Sequence, residues 1–294
     1  MIPLLALLLQ TLPSSSLAAH EDATARLAWT PEGKLLLTRG DGTLKIWIAS
    51  TRRLLHAIPA PGDDLALSPD GAWAATEGAI WAVATGLRRA GFDAGRVLAM
   101  GWSADSRTLV TATLISGGLQ VRSWTLDGAE AAAFAIPTPG DARAVAVAGN
   151  RLAFGAPDLS VRVWDVADRR PIATLEGPGD RLTDLLVDGP RVAAACADGQ
   201  VRFWTDGRLV RALEGGGPIA WSGDRAVVRG ADGLELWDLG AGTRQAVFAG
   251  PGTGVWSPAC VAFPPGGRLA AGGTLIAKVA APGRRVSGPV YVWK

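Results

Sequence analysis

Short apolar stretches recur along the whole chain, and polar or glycine-rich breaks separate them. Within a stretch, apolar and polar residues alternate, as in Thr43-Leu44-Lys45-Ile46-Trp47 and Val161-Arg162-Val163-Trp164-Asp165. A period of two places every second side chain on one face, which is the signature of a half-buried β-strand. The breaks carry turn chemistry. Thr30-Pro31-Glu32-Gly33 and Ser68-Pro69-Asp70-Gly71 put Pro second and Gly fourth, as a type I turn prefers. Asp-Gly pairs at Asp41-Gly42, Asp198-Gly199 and Asp232-Gly233 mark a second turn. Helical periodicity appears at no useful length outside the N-terminal run, so the pattern predicts an all-β chain.

One unit repeats: a strand, a tight turn, a strand, a second turn, and an alternating strand that ends in Trp. The terminal residues are Trp47, Trp81, Trp124, Trp164, Trp204, Trp237 and Trp293, with intervals of 34, 43, 40, 40, 33 and 56 residues. A period near forty is that of a four-stranded propeller blade, which cannot bury its apolar faces alone and must stack on its neighbours. The expectation is a seven-bladed β-propeller of four-stranded antiparallel blades over residues 20–294.

These motifs resemble those of the WD-repeat β-propeller family. The carriers are Ser68-Pro69-Asp70-Gly71, the Asp-Gly turns, and Trp-Asp at Trp164-Asp165 and Trp237-Asp238. The resemblance implies a hydrogen-bonded network of His, Ser or Thr, Asp and Trp within a blade. His20, Thr38, Asp41 and Trp47 supply all four in the first copy, and Asp158 and Asp198 lie six residues before their Trp as Asp41 does. Asp232 heads the equivalent turn before Trp237. Elsewhere Pro-Gly-Asp stands where Gly-His is expected (61–63, 139–141 and 178–180), so those blades are expected to rest on apolar packing and Trp burial. Last-blade closure is left open: either it has three strands, or the N-terminal segment supplies the fourth.

Composition narrows the chemistry. The net charge is +2, from 29 Lys and Arg against 27 Asp and Glu, without the basic excess of a nucleic-acid binder. Only two His and two Cys occur, and no zinc cluster, haem motif or phosphate loop is legible. Cys196 and Cys260 sit within apolar runs and read as buried thiols. No cofactor or metal is expected. Lys45, Arg122, Arg162 and Arg202 stand two residues before a Trp and therefore on its face of the strand. They read as blade-packing side chains with a snorkelling head.

At the N-terminus, Ile2–Leu9 is apolar and small residues follow at Ser16 and Ala18. This resembles a secretory signal peptide over residues 1–19, cut after Ala18 or Ala19, without a basic residue ahead of it. That reading implies a secreted or periplasmic protein. No other stretch is long and apolar enough to span a bilayer, so no integral membrane span is expected in the mature chain.

The functional expectation from the family resemblance is a non-catalytic scaffold that binds a protein partner, not a nucleic acid, through loops on one face. Arg39–Gly42, Pro137–Asp141, Pro178–Arg181 and Arg229–Gly233 should reach that face with mixed charge. The longest insertion, Thr274–Pro289, carries Lys278, Arg284 and Arg285 as a candidate partner-binding loop. The alternative is a periplasmic enzyme or small-ligand binder using the central channel, with Asp63, Asp141 and Asp180 as its acids.

Overall fold

In the computed structural model the described residues are 10, 11, 13, 15–138, 142–250, 254–263, 269–277 and 285–293. They form strands, turns and loops, without a helix among them. Two N-terminal strands, β1 (Gln10–Thr11) and β2 (Ser15–His20), precede the first blade. Blade 1 comprises β3 (Arg26–Trp29), β4 (Leu35–Gly40), β5 (Thr43–Ile48) and β6 (Arg53–Pro59). Blade 2 holds β7 (Ala66–Leu67), β8 (Trp73–Thr76), β9 (Ala79–Ala82) and β10 (Arg88–Gly91). Blade 3 holds β11 (Val97–Trp102), β12 (Thr108–Ile115), β13 (Gly118–Thr125) and β14 (Glu130–Pro137). Blade 4 holds β15 (Arg143–Ala148), β16 (Arg151–Gly155), β17 (Val161–Asp165) and β18 (Arg170–Leu175).

Blade 5 is β19 (Leu182–Asp188), β20 (Arg191–Cys196), β21 (Gln200–Thr205) and β22 (Arg208–Glu214). Blade 6 is β23 (Gly216–Ser222), β24 (Arg225–Arg229), β25 (Leu234–Asp238) and β26 (Thr243–Phe248). Blade 7 is β27 (Gly254–Ala262), β28 (Leu269–Ala277) and β29 (Arg285–Trp293), with β2 antiparallel to β29 as its outer strand. The seven sheets are a β-propeller, and every Trp of the repeat lies on the third strand of its blade.

The N-terminal segment thus supplies the fourth strand of the last blade, with Leu17 opposite Val290. A cut after Ala18 or Ala19 would fall inside that strand. The apolar run 2–9 lies outside the described residues. Just upstream, β1 pairs in parallel with β26, Gln10 opposite Val247, and gives blade 6 a fifth strand. The insertion differs from its reading as one long loop. Residues 274–277 and 285–289 are strand, because Leu275, Ile276 and Ala277 pair with Ser287, Val286 and Arg285 and lengthen the hairpin.

Seven apolar clusters hold the ring, and each joins two adjacent blades. The cluster between blades 3 and 4 sets Leu119 and Ile136 against Leu152 and Phe154, all fully buried. Alternation along each strand produces this arrangement, since both faces of an inner strand meet a neighbouring sheet. A second contact recurs nearer the rim, where the outer strand of one blade touches the last turn of the next. His56 packs on the turn at Gly86, and Gly91 on that at Gly128. Arg169 stacks over Phe134 at 5.8 Å, and Arg211 donates to the Leu239 carbonyl at 2.8 and 3.1 Å. Gly86 has φ +69°, and a Cβ there would lie 2.7 Å from the His56 ring, so the turn needs glycine twice over.

Candidate functional site

Strand direction sorts the loops. Each innermost strand starts on one face, so the blade-to-blade connections share that face with the turns between second and third strands. The remaining turns project from the opposite face. The first will be called the loop face.

His20, Thr38, Asp41 and Trp47 meet beside the loop face. Trp47 Nε1–H donates to Thr38 Oγ1 at 2.9 Å, and Thr38 Oγ1 lies 3.0 Å from His20 Nε2. His20 Nδ1 lies 2.7 Å from Asp41 Oδ1. With Thr38 accepting from Trp47, its hydroxyl proton goes to Nε2, and Nδ1–H donates to the carboxylate. The imidazole is therefore neutral in this chain of bonds, and burial lowers its pKa despite Asp41. Asp41 also accepts from Thr43 Oγ1 (2.7 Å) and the Glu21 amide (2.9 Å). Those bonds and His20 outweigh burial and bring Asp41 down to about 2. Every polar atom here faces a blade neighbour, which is a structural role.

Part of this network recurs without the histidine. Trp81 donates to Thr76 and Trp124 to Thr111, each at 2.9 Å. Thr38, Thr76 and Thr111 occupy the same place on the second strand, whereas Phe154, Ala194, Val228 and Ala271 fill it beside Trp164, Trp204, Trp237 and Trp293. Sequence reasoning missed Thr76 and Thr111. The available signal was a Thr two residues beyond the partner of the Trp on the paired strand.

The basic residues near the Trp engage carboxylates and carbonyls. Arg162 meets Asp158 and Arg202 meets Asp198, each at 2.8 Å. Lys45 donates to the Ala19 carbonyl at 2.7 Å, and Arg122 lies 3.4 Å from Glu130. Asp158 is held at about 2, chiefly by the Ser160 hydroxyl and amide and by Arg162. Blade 6 reverses the charge: Glu235 takes the cation's place, accepts from Trp237 Nε1 at 3.0 Å and binds Arg244 at 2.6 Å. Asp232 is exposed on the adjoining turn.

The central channel is more distinctive. The first residues of the innermost strands line a cavity of about 270 Å³ that includes Leu98, Val145, Asp184, Pro218 and Ala259, with Arg26 and Asp64 at its edge. Asp64 Oδ1 lies 3.2 Å from Arg26 Nε. Asp184 accepts the Leu185 amide at 2.9 Å and the Ile219 amide at 3.0 Å. Burial pushes both carboxyls up, against the pull of Arg26 and of these amides. Asp64 is thus paired with Arg26, whereas Asp184 has backbone amides as its partners.

Around the mouth the loop face is acidic. Asp63, Glu77, Asp93, Asp180 and Asp198 lie in its described loops and turns, with Arg96 and Arg181 the cations there. Of the cations read from sequence on this face, Arg181 and Arg229 are exposed, whereas Arg39, in β4, is fully buried. Its Nη2 donates to the Gly62 carbonyl, and among the described residues its Nε and Nη1 have no hydrogen-bond partner. Burial lowers its pKa while Asp63 and Glu77 oppose that shift. Among the sequence's candidate acids, Asp63 and Asp180 are exposed on loops, and Asp141 lies outside the described residues. The channel instead receives Asp64 and Asp184. Lys278 and Arg284 lie outside the described residues, and Arg285 opens β29. Cys196 and Cys260 are buried free thiols, and burial drives Cys260 up to about 12. Among the described residues no His, Cys, Asp and Glu group is placed to hold a metal ion, and no helix is long and apolar enough to cross a membrane.

The fold, with a Trp network beside one face of a seven-bladed ring, defines a β-propeller of the WD-repeat class. Residues 11–47 and 169–205 each match the family model of the WD domain, G-beta repeat. The first match runs from the N-terminal strands through β5, so the sequence repeat straddles the structural blades. The chain is a seven-bladed β-propeller in which two segments match the WD repeat. Among solved structures it is similar to that of U3-55K, with TM-score 0.74 and 16% identity over 95% of this chain and 98% of that one. It is also similar to the crystal structure of RRP9 WD40 repeats, with TM-score 0.73 and 17% identity over 95% and 97%. At such identity the likeness concerns the fold. No curated protein matches the sequence.

Proposed function

We propose that the chain is a protein-interaction scaffold whose loop face receives a cationic segment of a partner protein at the mouth of the central channel. The observation that carries this reading is the pair Asp64 and Asp184, both raised by burial at the edge of the 270 Å³ cavity. An incoming Lys or Arg side chain would stabilise their charged forms, and the acidic loops would steer it there. The WD40 architecture supports a scaffold, because its loops project from a rigid ring. The proposal contains no catalytic step.

The test is capture of the tagged full-length protein from its native host after mild crosslinking, in parallel with Asp64→Asn. Asp64→Asn keeps the shape and removes the charge, and recovery of a stoichiometric protein partner should fall about tenfold. A partner-free monomer, or equal recovery with the variant, would sink the proposal.

A further inference from the structure

The face opposite the loops carries a different surface. Where the third strand turns into the outer one, blades 1, 2, 4 and 5 each combine arginines with an exposed aliphatic side chain. Blade 1 has Arg52, Arg53 and Leu54, and blade 2 has Leu87, Arg88 and Arg89. Leu54 is 40% and Leu87 68% exposed. Blades 4 and 5 repeat the arrangement with Arg169, Arg170 and Ile172, then Arg208, Leu209 and Val210.

The first two groups form one patch. His56 Nε2 lies 3.1 Å from the Ala84 carbonyl, and the imidazole packs on Gly86, which brings the start of β6 against the turn that carries Leu87. Among the described residues, none of Arg52, Arg53, Arg88 and Arg89 is within ion-pair distance of a carboxylate. Arg88 turns back toward the loop face, its Nη2 3.5 Å from the Gly78 carbonyl in the turn between β8 and β9. In blade 4, by contrast, Asp168 holds Arg170 at 3.2 Å.

We propose that this rim docks the propeller on an anionic lipid surface, with Arg52, Arg53 and Arg89 at the headgroups and Leu54 and Leu87 in the interfacial layer. Two features favour a membrane over a macromolecular ligand. The turns of one propeller face end near a common plane, so a flat partner meets several of them at once. Aliphatic tips interleaved with uncommitted arginines match a surface that is anionic above and apolar below.

The test is flotation of the full-length protein with phosphatidylcholine vesicles, and with vesicles in which a third of the lipid is phosphatidylglycerol. The protein should float with the second and not the first, and salt should release it. Each cation near such a surface contributes about fivefold in partitioning, so R52E/R53E and R89E should each weaken binding at least about tenfold. Leu54→Ser with Leu87→Ser should weaken it as well, while Arg96→Glu on the loop face should not. Tryptophan fluorescence checks that every variant is folded. Equal flotation on both vesicles, flotation on neither, or indifference to the arginine reversals overturns the proposal. So does binding to duplex DNA that the arginine changes abolish and the leucine changes leave intact, since that would make the rim a nucleic-acid surface.

Discussion

Thr38 is the hinge of the blade 1 network, because one hydroxyl serves both Trp47 and His20. Replacing it with Ala would strand two buried polar groups, whereas the same change at Thr76 or Thr111 strands one. Thr38→Ala should therefore cost about 2–4 kcal/mol and the other two about 1–2 each. Urea denaturation of the three variants checks that order. The pH dependence follows from the shifts of His20 and Asp41. Burial holds the folded pKa of His20 below the ordinary imidazole value of 6.5, so the unfolded chain takes up the proton first as pH falls. Stability contributed by the neutral imidazole is thus present above about 6.5 and drains away below it. Asp41, lowered from 3.8 to about 2, adds a second loss between those values. Melting temperatures of the protein and of His20→Asn across that range should converge on acidification. A constant gap between them would show that His20 does not titrate in this way. The first network could be read from the sequence because the family resemblance implies its four residue types and the first copy supplies them all. Thr76 and Thr111 could not, since a strand Thr is common and only the pairing register reveals its tryptophan.

Strand alternation and Trp spacing made the blades readable, and Asp-Gly marked their turns. What stayed hidden was whatever depends on contact between distant segments. The outer strand of blade 7 pairs Leu17 with Val290, and no local pattern could tie those positions together. The insertion misled because Gly and Pro at 282–289 suggested a loop, while cross-strand pairing continues to Ala277 and Arg285. A chain beginning at residue 21 would leave the β29 edge uncovered, and should aggregate or melt earlier than one beginning at residue 10. Size-exclusion chromatography and thermal melts separate the two results. The rim contact makes its own prediction. Gly86→Val places a branched side chain at φ +69° and against His56, so it should destabilise by roughly 2–3 kcal/mol. His56→Ala in the same chain should recover part of that loss.

At the scale of the whole ring, stability belongs to the junctions, because each cluster draws residues from two adjacent blades. Phe154→Ala, at the fully buried centre of the blade 3–4 junction, should cost about 3–5 kcal/mol. The loss should appear as one earlier transition, the same by circular dichroism and by tryptophan fluorescence. Two separated transitions would mean that blades unfold independently. The candidate site was the least readable level. Asp63 and Asp180 stood out for their turns, yet it is Asp64 and Asp184 that line the channel, because Asp63 and Asp180 stay exposed on the blade-to-blade loops while Asp64 lies just ahead of β7 and Asp184 within β19. The joining of β2 to β29 also sets a timetable for biosynthesis. The first blade partner to leave the ribosome must wait for the last, about 270 residues later, with its apolar edge uncovered. Closing so long a loop opposes folding by about 5 kcal/mol, which the seventh blade must outweigh in a single late step. Until then the nascent chain is an open arc with two unpaired edges, and that interval is when a chaperone would have most to do.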